Sequence, residues 1–270
     1  MTALAPDFKA NAAKALADTE LQRALLNVKR GFVQKRAEAK ARLPEFDILR
    51  DEARAIKLHT LSHLDLYLDY YERKVAESGG HVHYAPTAED ARAIILKLCR
   101  EADAKLITKG KSMVSEEIGL NACLEEAGIE AVETDLGEYI AQMRKEAPSH
   151  LIAPIIHLNK ETIAEDFRRS HAGLPSDRPL ASAADLVAEA RAVLRQKFLA
   201  ADVGITGANL LIAETGTSVV VTNEGNADLT QSLPKMHIVI ASIEKLVPTL
   251  EDACTILRLL ARSGTGQEIT

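Results

Sequence analysis

Carboxylate, amide and hydroxyl side chains are concentrated in three stretches near the carboxyl end of the chain. These stretches are Gly207–Asn209, Glu214–Thr217 and Asn223–Asn226. They lie between short apolar runs, and polar groups in such positions need partners, which a ligand can supply. Turns between strands explain Gly216 and Gly225 but not the polar residues around them. We therefore predict a ligand site at Asn209, Thr215, Gly216, Thr217, Asn223, Gly225 and Asn226, with Glu214 and Glu224 as candidate catalytic carboxylates.

A second candidate follows a predicted strand at Lys105–Thr108. Lys109-Gly110-Lys111-Ser112 lies between this strand and the next helix, where lysines and backbone N–H groups attract anions. The segment lacks the first glycine of a Walker phosphate loop and the three glycines of a dinucleotide fingerprint. Lys111 and Ser112 are therefore predicted anion or carboxylate contacts, with an ordinary turn carrying solvated lysines as an equal alternative.

Two other predicted strands are followed by groups that could act as acids or bases. Asp135 can cap the next helix with Glu138 as its N3 partner, and this interpretation is favoured. The alternative places either carboxylate in a cleft as an acid, base or ligand. His157 follows a predicted buried strand at His150–Ile156, where an imidazole is well placed for proton transfer, although a lone histidine is more often structural.

Metal and cluster chemistry have weaker support in the sequence. His59 and His63 are one helical turn apart, and His81 and His83 share one strand face, but no third zinc ligand is indicated nearby. The three cysteines are scattered and form no Cys-x-x-Cys motif, which indicates reduced thiols in the cytosol. We predict no metal site and no cofactor in this chain.

Composition limits the possible partners. The chain has 270 residues, a formal net charge of -6, 4% aromatic residues and no tryptophan. Neither a basic surface nor aromatic stacking groups for nucleic acid are indicated. No apolar run is long enough for a bilayer, and the first residues do not resemble a secretory signal. We expect a cytoplasmic protein that binds neither nucleic acid nor membrane.

The order of elements predicts an α/β fold. Residues 1–80 are predicted as a helical arm, with helices over Asp18–Leu43 and Phe46–Ser78. Residues 81–270 then alternate strands and helices, which is typical of a mostly parallel sheet flanked by helices. The predicted strands are His81–Tyr84, Lys105–Thr108, Ile129–Glu133, His150–Ile156, Leu210–Ala213, Ser218–Thr222 and His237–Ala241. The predicted helices of this part are Ala88–Glu101, Ser115–Gly128, Leu136–Arg144, Glu161–Arg169, Ala183–Phe198 and Leu250–Ala261.

Several motifs resemble those of the lactate utilization protein B family, in the same order along nearly the whole chain. They include Lys111–Met113 with Glu116–Asn121, Glu133–Tyr139, Pro148–His150 with His157, Ala201–Gly204 with Gly207–Asn209, Glu214–Thr217, Asn223–Asn226, Ile243–Lys245 and Ser263–Gln267. That family carries a LUD domain. The resemblance implies a fold similar to the ribose-5-phosphate isomerase, glucosamine-6-phosphate deaminase and CoA-transferase group.

The resemblance also implies an electron-transfer role in the oxidation of L-lactate to pyruvate with two partner proteins. Family members continue into a ferredoxin-like part that binds two [4Fe–4S] clusters, so this chain is expected to be a fragment without them. Its LUD domain would bind partners or a small carboxylate or phosphorylated ligand, and the helical arm could join copies into a homo-oligomer. The alternative is a self-contained isomerase or CoA-transferase-like enzyme that uses Glu214 or Glu224 as base or nucleophile, with Lys111 holding an anionic group.

Overall fold

A computed structural model describes residues 7–149 and 153–268. Thirteen α-helices lie within these described ranges, together with one π-helical turn at Lys29–Val33 and one 3-10 turn at Ile243–Lys245. The helices are α1 Phe8–Ala17, α2 Thr19–Val28, α3 Gln34–Ala41, α4 Phe46–Ser62, α5 Leu64–Glu77, α6 Ala88–Glu101, α7 Met113–Glu117, α8 Leu120–Glu126, α9 Leu136–Arg144, α10 Lys160–Ser170, α11 Ala183–Ala200, α12 Asn226–Ser232 and α13 Leu250–Gly264.

The described strands form two sheets, and together with the helices they confirm the α/β class. The strands are β1 Leu106–Lys109, β2 Glu130–Glu133, β3 Val203–Gly207, β4 Leu210–Ile212, β5 Thr217–Val219, β6 Met236–Ile240 and β7 Leu246–Val247. The larger sheet is parallel and has the order β2-β1-β3-β6. The smaller has the order β5-β4-β7, with β4 antiparallel to β5 and parallel to β7.

The chain divides into two compact units, each made of separate segments. The first contains the residues up to Asn27 together with Leu96–Thr206 and Glu224–Ile238. In this unit β1 and β2 are almost entirely buried, as expected for parallel strands covered by helices. α9 and α11 bring Tyr139 and Phe198 against Val132 of β2.

The second unit contains Val28–Ile95, Gly207–Asn223 and the residues from Val239 onward. Here α4 and α13 pack side by side, with Phe46 and Leu259 in one apolar cluster. The predicted hairpin around Glu214–Thr217 is confirmed, since β4 and β5 pair with Ile212 opposite Thr217. The predicted division of the chain into a helical arm at residues 1–80 and an α/β domain at residues 81–270 stays a prediction.

The helical character of the first 80 residues is confirmed over the described part, with a break at His63 between α4 and α5. In the second unit, α4 and α5 pack their apolar faces against buried strands. Ile56 of α4 packs against the apolar cluster that contains Ile212 of β4 and Val247 of β7. Tyr67 of α5 packs against the cluster that contains Leu246 of β7.

The predicted strand at His81–Tyr84 is wrong, because these residues have no regular secondary structure. The apolar–polar alternation there covers only four residues. A strand needs a partner to satisfy its backbone groups, and β1 begins only at Leu106 and pairs instead with β2 and β3.

The predicted strand at His150–Ile156 is wrong over its described part. His150–Ile152 lie outside the described residues, and residues 154–157 form a turn. Pro154 has no N–H to give to a sheet, and its carbonyl accepts hydrogen bonds from both the backbone and the hydroxyl of Ser149.

Further elements differ from the predicted pattern. The predicted helix Ser115–Gly128 begins at Met113, capped by Ser112, and breaks where Gly119 takes a positive φ of 65°. The interior strand β3 of the parallel sheet, the short strand β7 and the helix α12 were not predicted. A strand containing glycines has weak β-propensity, so its pattern does not stand out in the sequence. No described helix is both long and apolar enough to span a bilayer.

Candidate functional site

Charged side chains of the first unit meet where β1 and β2 end. The two strands are parallel and in register, so their last residues, Lys109 and Glu133, lie side by side. The carboxyl ends of parallel strands are where α/β proteins place their binding groups. Both side chains are buried, with Lys109 at 1% exposure and Glu133 at 4%.

A closed set of hydrogen bonds holds these two charges. The Lys109 ammonium donates to Oε1 of Glu133 and to Oδ1 of Asn121, each at 2.6 Å. The amide nitrogen of Asn121 donates to the same Glu133 oxygen at 2.7 Å. A buried ion pair of this kind costs about 3–5 kcal/mol to break by removing one partner, because the other charge is left uncompensated.

Two further carboxylates face this pair. One oxygen each from Glu116 of α7, Glu133 and Glu138 of α9 lies within 4.8 Å of the others. Burial, reinforced by the Glu133 charge, raises the pKa of Glu138 to about 8. Burial also raises the pKa of Glu116.

The predicted anion contacts Lys111 and Ser112 lie beside this carboxylate cluster. The Lys111 ammonium is 3.6 Å from Oε1 of Glu138, which makes a long ion pair. Ser112 caps α7, its hydroxyl accepting a hydrogen bond from the Ser115 N–H at 3.3 Å. Asp135 caps α9 by accepting from the N–H groups of Gly137 and Glu138, which confirms its predicted role as a cap. The predicted N3 partnership of Glu138 is not seen, because neither oxygen of its carboxylate has a hydrogen bond with a described residue.

His157 takes part in a different set of contacts. Its Nε2 lies 3.1 Å from Oε2 of Glu146, and its Nδ1 lies 3.0 Å from the Ser149 hydroxyl. These contacts fix the turn at residues 154–157. The proton-transfer role of His157 stays a prediction, and its described hydrogen bonds do not include the carboxylate cluster.

A cavity of about 680 Å³ opens in the first unit beside α11 and α12. Glu224 and Asn226, two of the predicted site residues, line it. The Glu224 carboxylate accepts a hydrogen bond from the Leu136 N–H at 3.3 Å, and partial burial followed by the Asp135 charge raises its pKa. Asn226 donates to the Thr134 hydroxyl at 3.3 Å.

Two arginines that sequence reasoning missed complete the polar lining of this cavity. Arg191 and Arg195 are exposed and stand four residues apart on α11, so their side chains share one face. Neither guanidinium forms an ion pair with any described residue within 4.0 Å. The remaining lining is largely apolar and includes four exposed side chains, Val187, Leu199, Leu229 and Leu233.

The other predicted ligand residues belong to the second unit, where several support its hairpin. The Asn209 amide oxygen accepts from the Val221 N–H at 2.7 Å, and the Thr215 hydroxyl donates to that of Thr217 at 2.8 Å. The Glu214 carboxylate accepts from the Leu250 N–H at the start of α13 at 3.2 Å. Asn223 lines a separate cavity of about 490 Å³ in this unit.

Two of the predicted glycines have conformational reasons of their own. Gly216 has a positive φ of 69°, and a Cβ there would lie 2.6 Å from the Val75 nitrogen of α5. Gly225 has a φ of 70° and stands just before α12. The catalytic roles of Glu214 and Glu224 stay predictions, since each carboxylate accepts an N–H at a helix start, which is a stabilising arrangement.

The sequence contained a weak signal for Glu133, which was missed, whereas Glu138 was already named as an alternative cleft residue. Glu133 ends a predicted strand, and Glu138 is five residues later at the N3 position of the next helix. No comparable signal marked the polar residues within helices, because ordinary exposed helix faces carry the same residue types. These residues are Glu116, Asn121, Arg191 and Arg195. The chain's three cysteines are fewer than the four thiolates of a [4Fe–4S] cluster, so the residues present do not fit that group.

Comparison with known proteins identifies similar sequences. The family model of the LUD domain matches residues 68–270. The chain is 42% identical over 264 residues to lactate utilization protein B of Bacillus pumilus (strain SAFR-032), covering 97% of this chain and 55% of that protein. It is 45% identical over 242 residues to lactate utilization protein B of Geobacillus kaustophilus (strain HTA426), covering 89% and 50%. The chain thus spans about half the length of the curated relatives it matches, and no solved structure gives a significant match.

Proposed function

Because the chain belongs to the LUD domain family, we propose that it is part of a lactate utilization protein that takes part in oxidising L-lactate to pyruvate. The observation that carries this proposal is identity of 42% over 97% of the chain with a protein of that name. We further propose that the whole protein transfers electrons together with two other lactate utilization proteins. In this view the iron–sulfur clusters belong to sequence beyond the aligned half.

Growth on lactate tests this role. A strain from which the encoding gene has been deleted should fail to grow on L-lactate as sole carbon source and should grow normally on pyruvate. Reintroducing the full-length gene should restore growth on lactate. Undiminished growth of the deletion strain on L-lactate would contradict the proposal.

Within this role we propose that the cavity beside α11 and α12 binds a small organic anion. Arg191 and Arg195 supply two guanidinium groups, which suit carboxylates and phosphates because each can donate two parallel hydrogen bonds. Asn226 and Glu224 supply further polar contacts, and the apolar wall accepts a hydrocarbon part. A concave, mostly apolar pocket with a few placed polar groups is the usual form of a small-molecule site.

Isothermal titration calorimetry with pyruvate, L-lactate and hexanoate tests the cavity. The wild-type protein should bind at least one of these carboxylates. An Arg191→Gln/Arg195→Gln variant should bind it at least about ten-fold more weakly, since each hydrogen bond to a charged group contributes about 1.5–3 kcal/mol. Arg168→Gln is the matched control, because Arg168 is an exposed arginine on another helix of the same unit, α10. Equal affinity of the double variant and the control, or no binding by the wild type, would contradict an anion site here.

Self-association through the amino-terminal helices also remains a proposal. Its support is that Ile48, Leu58 and Leu61 of α4 are each at least 47% exposed. Apolar side chains left at a helix surface are candidates for contact with another chain.

A further inference from the structure

We propose that Glu116, Glu133 and Glu138 form a binding site for a hard divalent cation, such as Mg²⁺ or Mn²⁺, at the carboxyl ends of β1 and β2. No metal site is predicted from the sequence. The proposal does not rest on the role in lactate oxidation, because it follows from side-chain geometry within the first unit alone.

The first observation is convergence of the carboxylates. Three helix and strand ends bring one oxygen of each glutamate to within 4.8 Å of the other two. Oxygens on opposite sides of a bound cation are separated by about twice the metal–oxygen distance, roughly 4.0–4.2 Å for Mg²⁺ and 4.6–5.2 Å for Ca²⁺. The limit of 4.8 Å falls within the Ca²⁺ range and slightly exceeds the Mg²⁺ range, so a smaller ion would draw the carboxylates closer together.

The second observation is independent of that spacing and concerns missing partners. The Glu138 side chain is only 3% exposed, and neither of its oxygens has a hydrogen bond with any described residue. Oε2 of Glu133 is likewise buried without a hydrogen bond among the described residues. Buried carboxylate oxygens are normally satisfied, so three orphaned oxygens in one place indicate a ligand that supplies positive charge.

The two nearby lysines supply hydrogen bonds and positive charge to only some of these carboxylate oxygens. Lys109 donates to Oε1 of Glu133 and not to Oε2, and its ammonium is 3.9 Å from Glu116. Lys111 is 3.6 Å from Glu138, beyond hydrogen-bonding distance. Three carboxylates against two ammonium groups leave one excess negative charge in the ionised cluster, and the neighbouring Asp135 carboxylate adds a second.

The chemistry of the donors selects the class of ion. All the converging groups are carboxylate oxygens, which are the ligands that Mg²⁺, Mn²⁺ and Ca²⁺ prefer. No histidine or cysteine belongs to this group, the one such set among the described residues, so softer metals have no thiolate or imidazole ligand. The partly exposed Glu116, at 21%, leaves a side through which an ion and its water ligands can enter.

Manganese binding to chelator-treated protein tests the proposal. Electron paramagnetic resonance counts free Mn²⁺, and the wild type should show one saturable site. Glu138→Gln and Glu116→Gln should each weaken binding at least ten-fold. Glu117→Gln is the matched control, because Glu117 is exposed on the same helix and lies outside the cluster; its affinity should equal that of the wild type.

Thermal unfolding separates loss of the site from loss of the fold. Mn²⁺ should raise the unfolding midpoint of the wild type and of Glu117→Gln, and should leave that of a folded Glu138→Gln variant unchanged. Glu116→Gln provides a second folded variant, since Glu116 is only partly buried. The proposal is overturned if the wild type shows no saturable binding below about 1 mM, the weak end of protein cation sites. It is also overturned if both cluster variants bind Mn²⁺ as the wild type does.

Discussion

Glu138 is the carboxyl group of the first unit whose pKa its surroundings raise most clearly. Its carboxyl group is buried, faces two other glutamates, and has one long ion pair with Lys111. Removal from water disfavours the ionised form most, and the Glu133 charge disfavours it further, which explains a pKa of about 8. Without a bound cation, this raised pKa favours the protonated form of Glu138 near neutral pH.

This proton makes the stability of the protein depend on pH. The pKa of Glu138 is higher in the folded protein than its ordinary value of 4.5, so the folded state binds the proton more tightly than the unfolded chain. The resulting stabilisation is complete below about pH 4.5 and is lost as the pH rises through about 8. Glutamine has the same shape and no charge to lose.

We expect the Glu138→Gln variant to unfold at a higher temperature than the wild type at pH 9 in the presence of a chelator. The difference should shrink as the pH falls toward 5. A gain of 1 kcal/mol would raise the midpoint by roughly 2–4 °C in a protein of this size. Scanning calorimetry from pH 5 to pH 9 measures this difference, and parallel curves for the two proteins would show that Glu138 does not titrate as described.

At the scale of elements, β3 and α12 decide where the cavity residues lie. β3 lies beside β1 inside the parallel sheet, and α12 carries Leu229 and begins two residues after Glu224. The helix packs so closely on the strand that a Cβ built on Gly204 would overlap the Thr230 carbonyl. Glycine is required there by close approach of two backbones.

We expect Gly204→Ala to destabilise the protein by about 1–3 kcal/mol, since overpacking forces the backbone to shift. The matched control is Gly173→Ala, because Gly173 has open space around the position of a Cβ and no positive φ. Urea unfolding followed by circular dichroism measures both variants. Similar stability of the two variants would show that α12 can move away from β3 at little cost.

Another element-scale feature is a buried polar network that ties the segment after α10 to the helices. The His171 ring lies 2.9 Å from the Tyr139 hydroxyl and 2.8 Å from the Glu189 carboxylate. Arg178 donates to the same carboxylate at 2.6 Å. Each polar group named in this network has a partner, so the network fixes the path of residues 172–179 across α9 and α11.

At the scale of the whole molecule, the two compact units divide the predicted site residues between them. Lys111, Glu224 and Asn226 belong to the first unit, whereas Asn209 and Glu214 belong to the second. Each unit has its own cavity. The first unit contains both the carboxylate cluster and the arginine-lined cavity, so the cation and anion experiments examine one unit with separate variants.

The sequence by itself determined the features that depend on neighbouring residues. Asp135 caps α9 because the N–H groups that its carboxylate binds lie only two and three residues later in the chain. The Glu214–Thr217 turn forms because it lies between two short apolar runs that pair as strands. The alternation of strands and helices indicated the α/β class, and motif order indicated the family. The prediction of a strand at His81–Tyr84 was wrong because four alternating residues do not indicate whether a partner strand lies beside them.

Only the tertiary structure decided which distant side chains meet. Lys109 and Glu133 pair because β1 and β2 are adjacent and in parallel register, and α7 places Glu116 close to them. Arg191 meets Glu224 and Asn226 around one cavity because α11 and α12 both border it. Sheet order and helix packing minimise the free energy of the whole unit, so they depend on contacts that no local pattern of residues encodes.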